Sequence, residues 1–229
     1  METFDILSII MFGSSARGES DDYSDVDVCV ITRNHHSRSR LAIIKDYLSN
    51  KYSFKNADII IYSAEQIENM YRYGSLFLWH LKLEGKTLYD DSYFSELCDK
   101  LAKYDKHLSE LNYHYELLKD VESSIENLCI VNEMDLGQLF TICRNTCMIL
   151  AHFNNQFAFG RKSAFSAANQ IYFDLPLTEE EYIYLSRWKL RYERGLFDEL
   201  ALPSLEKVNH FIKQTKTLIY FAIEKVAND

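Results

Sequence analysis

Apolar residues follow two rhythms along this chain. Up to Tyr62 they gather in short runs rich in β-branched side chains: Leu7–Phe12, Asp25–Thr32 and Asp58–Tyr62. Runs of this length and makeup predict buried strands. Between them, Ser14–Gly18 reads as the opening of a short helix, and Leu41, Ile44 and Leu48 lie at helical spacing within His36–Tyr52. Ser63 followed by Gln66 is a capping-box signature, which predicts a helix over Ser63–Tyr73. The segment GSLFLWHLKLEGKTLYDD predicts a further helix ending near Gly85, with no strand signal beyond Tyr89.

From residue 92 onward the spacing is helical throughout. Tyr93–Lys106 and Asp105–Val131 carry charge along one side, whereas Leu136–Asn154 is apolar nearly all round and is expected at the centre of a bundle. A shorter helix is predicted over Arg161–Ile171. Thr178 ahead of Glu179, Glu180 and Glu181 caps a helix running to Arg194, and Ser204 with Lys207–Val226 forms the last one. The rhythm changes near residues 88–95, which divides the chain into residues 1–91 and 92–229. The fold class expected is α+β.

Composition narrows the picture. Only seven glycines and two prolines among 229 residues leave room for few turns, in keeping with long helices. A net charge of −9 argues against a broad nucleic-acid footprint, which needs a basic face, and suits a cationic or neutral partner. No run approaches the ~18 apolar residues of a membrane span. Glu2 and Asp5 stand where a secretory leader carries positive charge, and an odd count of five cysteines points to reduced thiols in the cytoplasm. Cys143 and Cys147 lie one helical turn apart near His152, a spacing open to zinc but read more simply as small buried side chains.

Candidate chemistry concentrates in residues 13–31, GSSARGESDDYSDVDVCVI. On an extended strand, residues two apart share a face, so Asp25 and Asp27 project together while Val26, Val28 and Val30 point the other way. Two such carboxylates repel each other unless a cation lies between them, and a hard, oxygen-seeking ion such as Mg²⁺ fits. Gly13 and Ser14 form a turn whose backbone N–H groups are open to phosphate oxygens, with the Ser14 hydroxyl as a further donor. A metal pair beside a phosphate-sized turn reads as chemistry on a nucleotide.

The pattern GSxARG, a short polar spacer and SDxDxxV resembles the minimal nucleotidyltransferases of the DNA polymerase beta superfamily. Gly13, Ser14, Ala16, Arg17 and Gly18 match the first part, and Ser24, Asp25 and Asp27 the second, so that the resemblance spans residues 7–62. It implies a small mixed β-sheet nucleotidyltransferase domain with helices, followed by an all-α helical bundle domain. It also implies a third carboxylate on a neighbouring strand, for which the chain offers Asp58. In that scheme Asp25 and Asp27 bridge two Mg²⁺ ions, and Asp58 binds the catalytic one and orients or deprotonates the acceptor hydroxyl. Glu84 is the second candidate base. Arg17 either pairs with a phosphate or braces the turn through the Asp21–Asp22 loop.

RNTCMILAHFNNQFAFGRKSAFSAA is similar to the helical domain of aminoglycoside nucleotidyltransferases, which implies that Arg144 and Lys162 touch nucleotide phosphates, although the segment between them is longer here. The family usually carries a helix before the first strand. Only about six residues precede Leu7, so the C-terminal helix or a second subunit in a homodimer is expected to cover that sheet face. The expected reaction moves a nucleoside monophosphate, AMP from ATP, onto a hydroxyl of an aminoglycoside-like small molecule, with pyrophosphate leaving. The alternatives are adenylylation of a protein side chain, as in toxin–antitoxin pairs, and nucleotide binding without turnover.

Overall fold

The computed structural model describes residues 4–18, 25–54, 57–128, 130–197 and 199–228. Ser24, Cys129 and the Asp21–Asp22 loop lie outside these. The chain separates into two compact units, Met1–Asp105 and Lys106–Asp229. As the sequence led us to expect, it is α+β: a small mixed sheet with helices, followed by helices.

In the first unit, β1 (Ile6–Phe12) runs into the short helix α1 (Gly13–Arg17), and β2 (Val26–Thr32) returns antiparallel beside β1. Helix α2 (Arg38–Tyr52) crosses over to β3 (Ala57–Ser63), which pairs parallel with β2. The Ser63 hydroxyl accepts from the Gln66 N–H while Gln66 accepts from the Ser63 N–H, and this capping box starts α3 (Ala64–Tyr73). Helix α4 (Leu76–Glu84) follows, and then β4 (Lys86–Asp90) and α5 (Tyr93–Lys100).

The strand β4 corrects the sequence reading, which had only three strands. It pairs antiparallel with β1 and gives the order β3-β2-β1-β4. Its five residues hold one half-buried apolar side chain, Leu88, so periodicity had almost nothing to register. Position is fixed by pairing and by Asp90, whose carboxylate accepts from Ser8 Oγ at 2.6 Å and from the N–H groups of Phe94 and Ser95. The helix predicted over Tyr93–Lys106 stops at Lys100.

The alternation of β2 sorts its side chains onto two faces. Val28 and Val30 pack with Ile9, Ile59 and the α2 residues Ile44 and Leu48. Cys29 and Ile31 pack with Ile10, Ile67 of α3, Leu78 and Leu81 of α4 and Phe94 of α5. Helices of the same unit thus pack on both faces of the sheet.

The second unit contains α6 (His107–Leu128), α7 (Glu133–Phe153), α8 (Ser163–Ile171), α9 (Glu179–Arg194) and α10 (Leu205–Ala227). Helix α7 touches each of the other four, which accounts for its apolar circumference. Cys143 and Cys147 are fully buried on it, and Cys143 Sγ lies 3.2 Å from Thr215 Oγ1. Burial pushes the Cys143 thiol up to about 12, so it is an inert packing group. Among the described residues, no three His, Cys, Asp or Glu side chains gather to hold a metal ion, and no helix is long and apolar enough to cross a membrane.

Some of the polar groups buried inside this bundle are titratable, among them His107, His114, Asp135 and His152. His114 is buried with Nδ1 3.4 Å from Thr146 Oγ1, and burial pulls it down to about 4 from an ordinary 6.5. The unfolded chain therefore binds a proton that the folded chain refuses between those values, and stability falls as pH drops through this window. We expect the urea midpoint to decline from pH 6.5 to pH 4 and His114→Gln to flatten that decline. Parallel curves for the two proteins would contradict the assignment.

Candidate active site

The turn between β1 and α1 is shaped by what stands opposite it. Register places Phe12 across from Asp27. The next residue, Gly13, has φ +71°, a conformation that side-chain-bearing residues seldom adopt. A Cβ on Gly13 would overlap the Asp27 carboxylate, reaching 3.1 Å from its Cγ. Glycine is required here on both counts, and its lack of a side chain lets the Asp27 carboxylate lie directly against the turn.

The sheet sets Asp27 and Asp58 side by side on neighbouring strands, with Asp25 just ahead of β2. Asp25 immediately precedes β2, and its carbonyl accepts from Ser15 Oγ at 3.1 Å, tying α1 to the entry of the strand. On the parallel neighbour, Asp58 is the register partner of Asp27. Cys29 with Ile60 and Ile31 with Tyr62 are the next pairs on the same face. Two strands about 4.8 Å apart thus carry their acids side by side at the end of an otherwise apolar face. Asp27 is half-buried and Asp58 exposed.

Helix α1 is too short to be stable alone. Phe12, at its N-cap, offers no side-chain cap, and Gly18 closes the other end in the left-handed conformation with its N–H on the Ser14 carbonyl. Ala16 is buried beneath it. The strongest anchor is ionic: Arg17 Nη1 lies 2.6 Å from Glu84 Oε2, with both side chains largely buried. Arg17 was expected to hold a phosphate or to reach the Asp21–Asp22 loop, which lies outside the described residues; among the described ones it pairs with Glu84 at the end of α4.

Glu84 also receives His80, one turn earlier, with Nε2 3.1 Å from Oε2. Burial pushes the Glu84 carboxyl up, but the close approach of His80 and the hydrogen bond and charge of Arg17 outweigh it and leave it below the ordinary value. A carboxylate so engaged is held in its charged form. His80 escaped the sequence reading. Its four-residue spacing from Glu84 was the available signal.

The two cationic candidates of the second unit lie on α7 and at the start of α8. Arg144, on α7, donates from Nε and Nη2 to Asn145 Oδ1 at 3.2 and 3.1 Å. Lys162 is exposed and stands at the N-cap of α8. The buried Tyr182 of α9 donates to the Arg161 carbonyl at 2.6 Å and feels the charges of both Arg144 and Arg161. Tyr182 thereby holds the segment carrying Lys162 near the α7 arginine.

Gly13→Ala tests the turn directly. Left-handed strain costs about 1–2 kcal/mol, and the clash with Asp27 adds to it. We expect a thermal midpoint several degrees lower and loss of triphosphate binding by calorimetry. Wild-type binding in the alanine variant would contradict the close approach.

No curated protein matches the chain. Among solved structures, the spectinomycin adenyltransferase AAD(9) from Enterococcus faecialis, crystallised with ATP and spectinomycin, aligns at a TM-score of 0.54 and 13% identity, covering 94% of this chain and 92% of that one. A toxin–antitoxin crystallised with AMP-PNP aligns over 55% of this chain and 88% of its own, at 15% identity and a TM-score of 0.31. The tri-AMPylated Shewanella oneidensis HEPN toxin in complex with MNT antitoxin gives 14% identity, 55% and 85% coverage and a TM-score of 0.27. The first likeness speaks to the fold, and the other two are too partial to bear on the argument. The family described as nucleotidyltransferase domain matches residues 2–132, more than half of the sequence, and the chain belongs to it.

Proposed function

We propose that the protein is a Mg²⁺-dependent nucleotidyltransferase that moves AMP from ATP to a hydroxyl of a small, aminoglycoside-like molecule in the cytoplasm. The observation that carries this reading is the packing of Asp27 against Gly13, with Asp58 beside it in register. In this reading residues 1–91 carry the transfer chemistry and residues 92–229 form the helical domain. Gly13 and Ser14 hold the triphosphate through backbone N–H groups and the Ser14 hydroxyl, and Arg144 and Lys162 bind nucleotide phosphates.

Asp25, Asp27 and Asp58 are all hard oxygen donors, the ligand type that Mg²⁺ selects. Mg²⁺ commonly takes one or two carboxylates and completes its shell with substrate phosphates and water. Asp25 and Asp27 would hold two ions in common and Asp58 one. When bound, such a pair stabilises the entering and leaving oxygens of an in-line displacement at the α-phosphorus. Asp58 would orient the acceptor hydroxyl and take its proton as the oxygen attacks, and pyrophosphate would leave. The net charge of −9 favours a cationic acceptor.

The test is incubation with Mg²⁺, α-labelled ATP and a panel of aminoglycosides and spectinomycin, following label and pyrophosphate. Label on a small acceptor supports the reading. Label on protein would replace it with side-chain adenylylation, and triphosphate binding without pyrophosphate would replace it with a non-catalytic module. Asp58→Asn should slow transfer by roughly 10²–10⁴-fold. The Asp25→Asn/Asp27→Asn double variant should slow it further while keeping the wild-type unfolding midpoint. Transfer by that double variant at a rate near wild type would refute the carboxylate assignment.

A further inference from the structure

The Gly13–Arg17 turn is bracketed at both ends by one helix. At the strand end, Phe12 packs edge-on against Phe77 and His80 of α4, with ring centroids 5.6 and 5.4 Å away. At the other end, Arg17 pairs with Glu84 on the last turn of α4. His80 serves both contacts, since its ring meets Phe12 while its Nε2 faces the Glu84 carboxylate at 3.1 Å. The height of α4 is set in turn by Gly85. A Cβ there would overlap the Leu81 carbonyl and come 2.6 Å from Ile10 Cγ2, so only glycine lets the end of α4 approach β1 this closely.

From this we infer that Glu84 is a positioning residue: through Arg17, and steadied by His80, it fixes the turn that carries Gly13 and Ser14 against the Asp27 carboxylate. The inference rests on the proposed function for its catalytic consequence but not for its structural content. An isolated five-residue helix has too few internal hydrogen bonds to keep a fixed attitude. The charge-assisted Arg17–Glu84 contact is partly removed from water and is directional, so it ties the C-terminal end of α1 to α4, as the Ser15–Asp25 contact ties α1 to the entry of β2. A tilt would move Ser14 and open the packing of Gly13 on Asp27. The functional loss then comes from misplacement, which costs up to about 10²-fold in rate for a shift near 1 Å.

A double-mutant cycle on Arg17→Ala and Glu84→Gln tests it with two readouts. The first is hydrogen exchange at the amides of Gly13–Arg17, which needs no substrate. Each single variant should speed exchange there to the same extent, the double variant should add nothing, and β2 and β3 should keep their protection. The second is steady-state transfer: KM for ATP should rise about tenfold in each single variant and no more in the double. Arg17→Lys, which keeps one donor, should fall between. Unchanged exchange in the turn, or additive effects of the two substitutions, would overturn the inference. A Glu84→Gln variant that loses kcat while its exchange and KM stay at wild-type values would instead mark Glu84 as the base. If the wild type neither binds nor turns over ATP, the proposed function fails, and the exchange cycle still decides the positioning role.

Discussion

The close approach of the β1–α1 turn to the start of β2 is the constraint around which the first unit is organised. It requires a residue without a side chain at Gly13, an acid at Asp27 lying on that bare backbone, and a strand register that puts Phe12 opposite Asp27. Each of these holds only if the others do. Shifting β2 by one residue would turn Asp27 into the apolar layer of Val28 and Val30 and bring a valine to the turn. The two buried layers on either side of the sheet forbid that slip, so ordinary hydrophobic packing holds the acids in place.

The same logic explains why acids can sit at the end of an apolar face. Cys29 and Ile31 continue the face of Asp27 into a core sealed by α3, α4 and α5, while Asp27 itself remains half-buried. Asp58 lies beside it on the parallel strand, more exposed still. Neighbouring like charges disfavour one another, and on the proposed function a cation would relieve this.

Much of this was legible in the chain. The glycine-serine turn, the capping box at Ser63 and the N-cap at Thr178 are local signals, and local geometry delivered them. The central place of α7 followed from its apolar circumference. What could not be read was whatever depends on distant partners. The edge strand β4 has too few buried positions to announce itself and exists because β1 offers an edge and Asp90 a tether. The Arg17–Glu84 pair joins residues 67 apart, and Glu84 before a glycine looks in sequence like any helix end. Gly85 itself reads as a helix stop, whereas its packing on Ile10 shows a requirement for close approach.

The account stands on Asp25 and Asp27 holding divalent ions against a triphosphate seated on the Gly13–Ser14 turn. A crystal structure of the protein with Mn²⁺ and a non-hydrolysable ATP analogue, collected at the manganese edge, addresses this most directly. The account predicts anomalous density within coordinating distance of both carboxylates, with the triphosphate on the turn. Well-ordered nucleotide bound elsewhere, with no metal peak at Asp25 and Asp27, would contradict it.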